Sequence, residues 1–401
     1  PFFLNGCIPN YLDCLFETVS GFTTTGATVL TDFDIPRSMH YWRAFTHWLG
    51  GMGILVFMLA ILPSQGAGSF QLMKFESPGP QVGKLVSKVR LTATILYVIY
   101  FALTLLEWIL LKCGGMDWFN SLIISMSTAG TGGFAATAES VREFHSAYTD
   151  IVVTIFMLVF SVNFNLYYLV ILGKIGNVLR DEEFRFYFLF VFLAIFAVTL
   201  DNTFRFAQYG GNFFTSLRYS AFAVASVSST TGFMTADFAQ WSSFSQFVLL
   251  LVMCVGAMAG STGGGLKASR CLILLKSGRA DTLGVLRPTG IHTVKFNKKQ
   301  LSPESVSAVR NYFVVYVAIF IFSCLLLSLD AQTDFLTDVS AVVACFNNVG
   351  PGLGGIVGPC GSYATLNYFS KTVLTIVMLI GRLEIFPVLL LFSPKTWSKR
   401  Y

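Results

Sequence analysis

Apolar runs of two lengths alternate along the chain. Long runs, at Trp42–Leu62, Leu91–Leu111, Ile151–Leu172, Phe184–Leu200, Tyr312–Leu329 and Val373–Leu391, come close to the ~20 residues a helix needs to cross a bilayer. Short runs, at Asn10–Phe22, Asp117–Thr128, Asn212–Val227 and Asp334–Phe346, cannot cross. Each short run leads into a polar, glycine-containing stretch and then toward another long run. This pattern predicts re-entrant helices that enter the membrane, stop, and return as extended backbone. Such backbone is tolerated at depth only where protein or water surrounds it. A further long run begins at Phe244 and is broken by Gly256, Gly260, Gly263, Gly264 and Gly265. A helical hydrogen-bond ladder does not survive so many glycines, so part of this span is expected to be loop.

The stretches after the short runs repeat one another. Ser20–Thr28 reads SGFTTTGAT; laid on it without gaps are STAGTGGF at 127–134, SVSSTTGF at 226–233 and ACFNNVGP at 344–351. Gly26, Gly133, Gly232 and Gly350 then fall in register. Gly133 precedes Phe134 as Gly232 precedes Phe233, so Gly133 rather than Gly132 is the counterpart of Gly26. A unit of about a hundred residues recurring four times has to build one object. The expected fold is an all-α polytopic membrane protein of four span, pore-helix, filter and span repeats, arranged with pseudo-fourfold symmetry around one narrow pore. Residues 1–63 form repeat one, without its leading span; 91–180 form repeat two; 184–276 form repeat three, with its last span interrupted; 310–394 form repeat four. Residues 64–90 and 277–309 are connectors.

Composition supports the membrane assignment. The chain is 54% hydrophobic and only 12% charged, with 40 phenylalanines, where a soluble domain carries about 25% charge. The net charge of +6 does not indicate nucleic acid, because it is segregated. Lys74, Lys84, Lys88 and Arg90, then Lys174, Arg180 and Arg185, then Lys267 to Lys299, and finally Lys395, Lys399 and Arg400 make basic connectors. The intervening stretches carry Asp13, Glu17, Asp32, Asp34, Asp117, Glu139, Asp201, Asp237, Asp330, Asp334 and Asp338. Alternation of this kind places the basic connectors in the cytoplasm and the glycine motifs toward the outside. The eight cysteines form no CxxC pair, and the four histidines are scattered. No acid pair, nucleophile triad or metal-ligand cluster stands out, so catalysis is not expected.

The chemistry resides in the four motifs. A dehydrated alkali cation needs a ring of oxygens, and backbone carbonyls supply one without fixed charge. Glycine admits the backbone angles that aim successive carbonyls at one axis. Hydroxyls of Thr24, Thr25, Thr131, Thr230 and Thr231 can add oxygens or brace the loops. The C-terminal dipole end of each short helix also favours cations. The interrupted span carries GSTGGGLKAS from Gly260, which departs from a phosphate-binding loop: Leu266 separates Gly265 from Lys267, and Ala268 stands where Ser or Thr would follow the lysine. Asn163 and Asn165 can line a cavity or bond between helices, and Arg382 lies in an apolar run with Glu384 two residues on.

SGFTTTGAT at 20–28, GTGGF at 130–134, SSTTGF at 228–233, FNNVGPG at 346–352 and GRLEIFP at 381–387 together resemble the Trk/Ktr/HKT superfamily of potassium transport proteins, in particular its TrkH-type membrane subunits. The resemblance spans essentially the whole chain. It implies a K⁺-channel-like pore that takes up K⁺ across a bacterial or archaeal plasma membrane. Its filter would comprise Thr24, Thr25 and Gly26, Thr131, Gly132 and Gly133, Thr230, Thr231 and Gly232, and Asn348, Val349 and Gly350, with K⁺ held at Thr25, Gly132, Thr231 and Val349. It places Gly260, Ser261, Thr262, Gly263, Gly264 and Gly265 beneath the filter as a gate, with Arg382 nearby as an electrostatic barrier. It further implies a homodimer, a first span preceding residue 1, and a cytoplasmic TrkA-type regulatory ring docked on the basic connectors, which also suit anionic membrane lipids. K⁺ is the transported ion, no covalent cofactor is expected, and any nucleotide belongs to the partner. The competing expectation is an alternating-access cation carrier coupled to Na⁺ or H⁺, which would bind at the midplane of inverted repeats; these repeats run parallel.

Overall fold

A computed structural model describes residues 1–53, 89–205, 209–287, 290 and 292–393. Four short helices, Tyr11–Phe22, Trp118–Ala129, Phe213–Ser228 and Phe335–Phe346, begin one residue after the starts that the sequence predicts. The cause is local. An Asn or Asp precedes each one and accepts a backbone N–H of the first turn: Asn10 from Leu12 at 2.9 Å, Asp117 from Phe119 at 3.0 Å, Asn212 from Phe214 at 3.1 Å, and Asp334 from Thr337 at 3.2 Å. Such caps stabilise a helix start by about 1 kcal/mol. Hydrogen bonding from the Thr337 side chain, helped by its backbone N–H, lowers the Asp334 carboxyl from its ordinary value.

Among the described residues, three helices are long and apolar enough to cross a bilayer: Ala93–Cys113, Glu182–Arg205 and Pro303–Leu327. Two of the expected spans differ from the reading above. Ile151–Leu172 is not one rod but two helices, Ala147–Phe160 and Phe164–Ile171, bent by 94°. The Ser161 hydroxyl turns back to the carbonyls of Met157 and Leu158, and the Asn163 side chain accepts the N–H of Asn165 at 2.9 Å to start the second helix. Asn163 is therefore a helix cap. Val373–Leu391 likewise divides, into Tyr368–Leu383 and Ile385–Leu391, bent by 116° at Glu384, whose φ is +67°.

The glycine-broken span behaves as expected. Helix Ser243–Val255 stops at Gly256, with φ of +68°, and the chain resumes as helix Ala268–Leu286. The intervening loop fills the break in its neighbour. Met258 N–H donates to the Ser161 carbonyl at 3.1 Å, and Phe164 N–H donates to the Gly260 carbonyl at 3.0 Å. The Thr262 hydroxyl donates to the Phe160 carbonyl at 3.1 Å. Backbone freed by one interrupted helix thus satisfies backbone freed by another, as an apolar medium requires.

Helix Arg37–Gly51 occupies the start of the Trp42–Leu62 run; residues 54–62, the 64–88 linker and the basic residues from 395 onward lie outside the described residues. In the 277–309 connector, Lys295–Phe296 pairs antiparallel with Lys299–Gln300. Asn297 and Lys298 turn the hairpin with φ of +49° and +64°, the signs a tight two-residue turn demands.

Candidate functional site

The four loops after the short helices share one bonding pattern. The N–H groups of Thr25, Gly132, Thr231 and Val349 donate five residues back, to the carbonyls of Ser20, Ser127, Ser226 and Ala344, at 2.9, 2.9, 2.8 and 2.8 Å. The residues just before them, Thr24, Thr131, Thr230 and Asn348, donate three residues back, at 2.9 to 3.3 Å. These N–H groups point home to their own helix. Thr24, Thr131, Thr230 and Asn348 all have positive φ, between +54° and +61°, although none is glycine. Left-handed backbone at a non-glycine position costs on the order of 1–3 kcal/mol and persists only where the surroundings impose it.

Two residues on, Gly26, Gly133, Gly232 and Gly350 are again left-handed, with φ from +79° to +97°. The residues between them, Thr25, Gly132, Thr231 and Val349, are not. Gly133 therefore takes the position of Gly26, and Gly132 that of Thr25. A chain that alternates in handedness turns successive carbonyls toward one side, whereas a pleated strand alternates them. Among the described residues, no hydrogen-bond donor reaches the carbonyl oxygens of Thr24, Thr25, Gly132, Thr231 or Val349.

Those carbonyls also close a cycle. A β-carbon on Gly26 would collide with the carbonyl oxygen of Gly132, one on Gly133 with that of Thr231, one on Gly232 with that of Val349, and one on Gly350 with that of Thr25. Each loop's glycine faces the next loop's central carbonyl, and the fourth returns to the first. Hydroxyl pairs brace the ring: Thr23 with Thr25 at 2.8 Å, and Ser229 with Thr231 at 2.7 Å. The Asn348 amide donates to the Thr25 hydroxyl at 2.9 Å, tying repeat four to repeat one.

A cavity lies on each side of the ring. One, of about 250 Å³, is lined by all four left-handed glycines. The other, of about 660 Å³, is lined by Thr23, Gly263 to Gly265, Lys267 and Arg382. The intramembrane loop therefore borders the second cavity directly beneath the ring. Gly264 N–H donates to the Thr230 hydroxyl at 2.7 Å, and a β-carbon on Gly264 would collide with the Asn347 carbonyl. Arg382 crosses this cavity. It donates to the Thr262 carbonyl at 2.8 Å and to the carbonyls of Gly50 and Gly51, the latter at 2.9 Å. Glu384 does not serve Arg382; it takes Arg270 at 2.7 Å. Lys267 Nζ donates to the Gly263 carbonyl at 2.5 Å.

Sequence reasoning missed the brace behind the first loop. Glu17, on the first short helix, pairs with Arg43 at 2.9 Å, both fully buried. Glu17 also accepts the Thr28 hydroxyl and the Val29 N–H, while Arg43 donates to the Ala135 carbonyl and lies 4.0 Å from the Phe134 ring centre. One ion pair thereby ties the exits of loops one and two. The available signal was an acid inside an apolar short helix and an arginine inside an apolar run.

The TrkH family of cation transport proteins matches residues 4–401. The Trk system potassium uptake protein TrkH of Halomonas elongata is 36% identical over 96% of this chain and 80% of its own length. That of Escherichia coli K12 is 35% identical, with the same coverage. The crystal structure of the potassium transporter TrkH from Vibrio parahaemolyticus superposes with a TM-score of 0.85 at 31% identity, covering 97% of this chain and 80% of that one. Sharing both fold and sequence with these transporters over nearly its whole length, the chain belongs to the TrkH family of cation transport proteins.

Proposed function

We propose that the chain takes up K⁺ across the bacterial or archaeal plasma membrane through the ring of four loops. The closed cycle of glycine-to-carbonyl contacts carries this reading. It supports a pseudo-fourfold arrangement of four repeats with the central carbonyls of Thr25, Gly132, Thr231 and Val349 facing a common axis, free of donors among the described residues. Oxygens so held replace a hydration shell without contributing a fixed charge, which suits a large monovalent cation that must also leave. The names of the relatives favour potassium.

Gly260 to Gly265 and Arg382 form the gate. Support comes from Ser261, Gly263 to Gly265 and Arg382, which line the cavity beneath the ring, where a guanidinium repels a passing cation. The basic connectors face the cytoplasm, dock a TrkA-type regulatory ring, and leave the glycine side outward; the functional unit is a homodimer. Purified protein in liposomes tests the central reading, with influx of K⁺, Rb⁺ and Na⁺ compared. Influx of K⁺ and Rb⁺ well above Na⁺ is expected. Equal permeation of all three would contradict a potassium-selective ring, and flux that strictly requires a Na⁺ or H⁺ gradient would replace the pore with the coupled carrier.

A further inference from the structure

The neck of the intramembrane loop is held by a residue outside it. Glu183 lies in the first turn of helix Glu182–Leu200 and is 5% exposed. Its Oε1 accepts the N–H of Ala259, where the loop leaves, at 2.7 Å, and the N–H of Ser269, where the chain re-forms a helix, at 3.0 Å. One oxygen therefore joins the two ends of the segment that carries Gly260 to Gly265. Between those ends, Lys267 bonds within the loop to Gly263 and Arg382 bonds to Thr262.

The two residues before Glu183 connect the same turn to the hairpin. Asp181 Oδ2 accepts the Asn297 side-chain amide at 2.7 Å, and Glu182 Oε2 accepts the Asn297 N–H at 3.0 Å. The Asn297 side-chain oxygen in turn accepts the N–H of Glu182 at 2.8 Å. Glu182 also pairs at 2.5 Å with Lys276, on the helix that leaves the loop. Three consecutive acids thus face three destinations: the hairpin tip, the outgoing helix and the loop's neck.

We propose that Glu183 is the positioning residue that holds the gate loop in its obstructing conformation, and that Asp181 and Glu182 link this clasp to the hairpin around Asn297. The inference rests on the loop being the gate. A carboxylate oxygen serving two buried N–H groups makes bonds stronger than neutral ones. Removing it leaves both donors unsatisfied in the obstructing conformation, which shifts the balance toward conformations where the neck has parted. Gln at this position keeps an acceptor oxygen at the same reach; Asp keeps the charge but withdraws it by one methylene.

Single-channel recording of the purified chain in planar bilayers tests this, with monodispersity and unitary conductance reporting that each variant is folded. Glu183→Ala is expected to raise open probability about tenfold at unchanged unitary conductance and K⁺/Na⁺ selectivity, the order expected for losing hydrogen bonds to a charged group. Glu183→Asp should raise it less, and Glu183→Gln least, because its amide oxygen still accepts both N–H groups but more weakly than a carboxylate. Asn297→Ala should raise it modestly, and by less in the Glu183→Ala background, because the two act along one connection. A shortened loop, lacking residues within 259–265, is the reference. If it opens the pore and neither Glu183→Ala nor Glu183→Asp does, the clasp is wrong and the gate stands. If the shortened loop does not open the pore, both fall. Additive effects of Asn297→Ala and Glu183→Ala would sever the hairpin from the clasp.

Discussion

The ring and the loop beneath it are both irregular backbone at membrane depth, yet they are held in opposite ways. Each ring loop is bonded mainly to its own short helix, through N–H groups reaching three and five residues back. The same bonds occur four times. The intramembrane loop occurs once, and much of its backbone is satisfied from elsewhere. Ser161, Phe164, Glu183, Thr230 and Arg382 lie on other elements and all bond to it. Local bonds fix a shape independently of the neighbours. Borrowed bonds fix it only while the neighbours stay in place, which is the condition for a part that moves. Under the proposed function, rigidity at the ring would preserve discrimination and conditional order below it would permit gating.

Three substitutions and one deletion probe that contrast. The largest effect is expected at the ring's brace, where Arg43→Met leaves Glu17 buried and unpaired. Breaking a buried pair from one side destabilises by about 3–5 kcal/mol. Thermal unfolding in detergent should therefore drop sharply, and an unchanged midpoint would mean that the pair is dispensable. Next is Gly232→Ser, which places a side chain at φ of +81° against the Val349 carbonyl. Its strain and clash, on the order of 1–3 kcal/mol, should lower K⁺ influx or K⁺/Na⁺ discrimination about tenfold; parent-like values of both in liposomes would argue that Gly232 is not part of the ring.

Smaller effects of opposite sign belong to the loop. Deleting three or four residues within 259–265 should raise Rb⁺ influx up to about tenfold in the absence of any partner, because the obstruction is withdrawn while the ring is left intact. Arg382→Ala should raise it several-fold, on the order of the 1–3 kcal/mol carried by one charged donor. Rate and selectivity need to be read together. A loop variant that gains flux and loses selectivity would show that the two regions are not independent.

What the sequence disclosed follows the same division. The short helices were legible because Asn10, Asp117, Asn212 and Asp334 cap them and apolar residues fill them. The ring register was legible because left-handed glycines recur at a fixed place, and the φ values bear out Gly133 over Gly132 as the counterpart of Gly26. The broken span was legible from its glycines. The bends at Ser161–Asn163 and at Glu384 were not: each run reads as one span, although Ser161, Asn163 and Asn165 interrupt the first and Arg382, Glu384 and Pro387 the second. The pairing of Arg382 with carbonyls rather than with Glu384, the Glu17–Arg43 brace and the Glu183 clasp became visible only once the elements were packed, because their partners are distant in sequence.

The central claim is that one cation sits among four backbone carbonyls contributed by residues far apart in the chain. Crystals grown in Tl⁺ or Rb⁺ and recorded at the anomalous edge would locate it directly. The account predicts a peak on the axis of the ring, within coordinating reach of the carbonyl oxygens of Thr25, Gly132, Thr231 and Val349, and none at that place when Na⁺ replaces the heavier ion. A strongest peak in the cavity beside Arg382, or at side chains away from the four carbonyls, would contradict it.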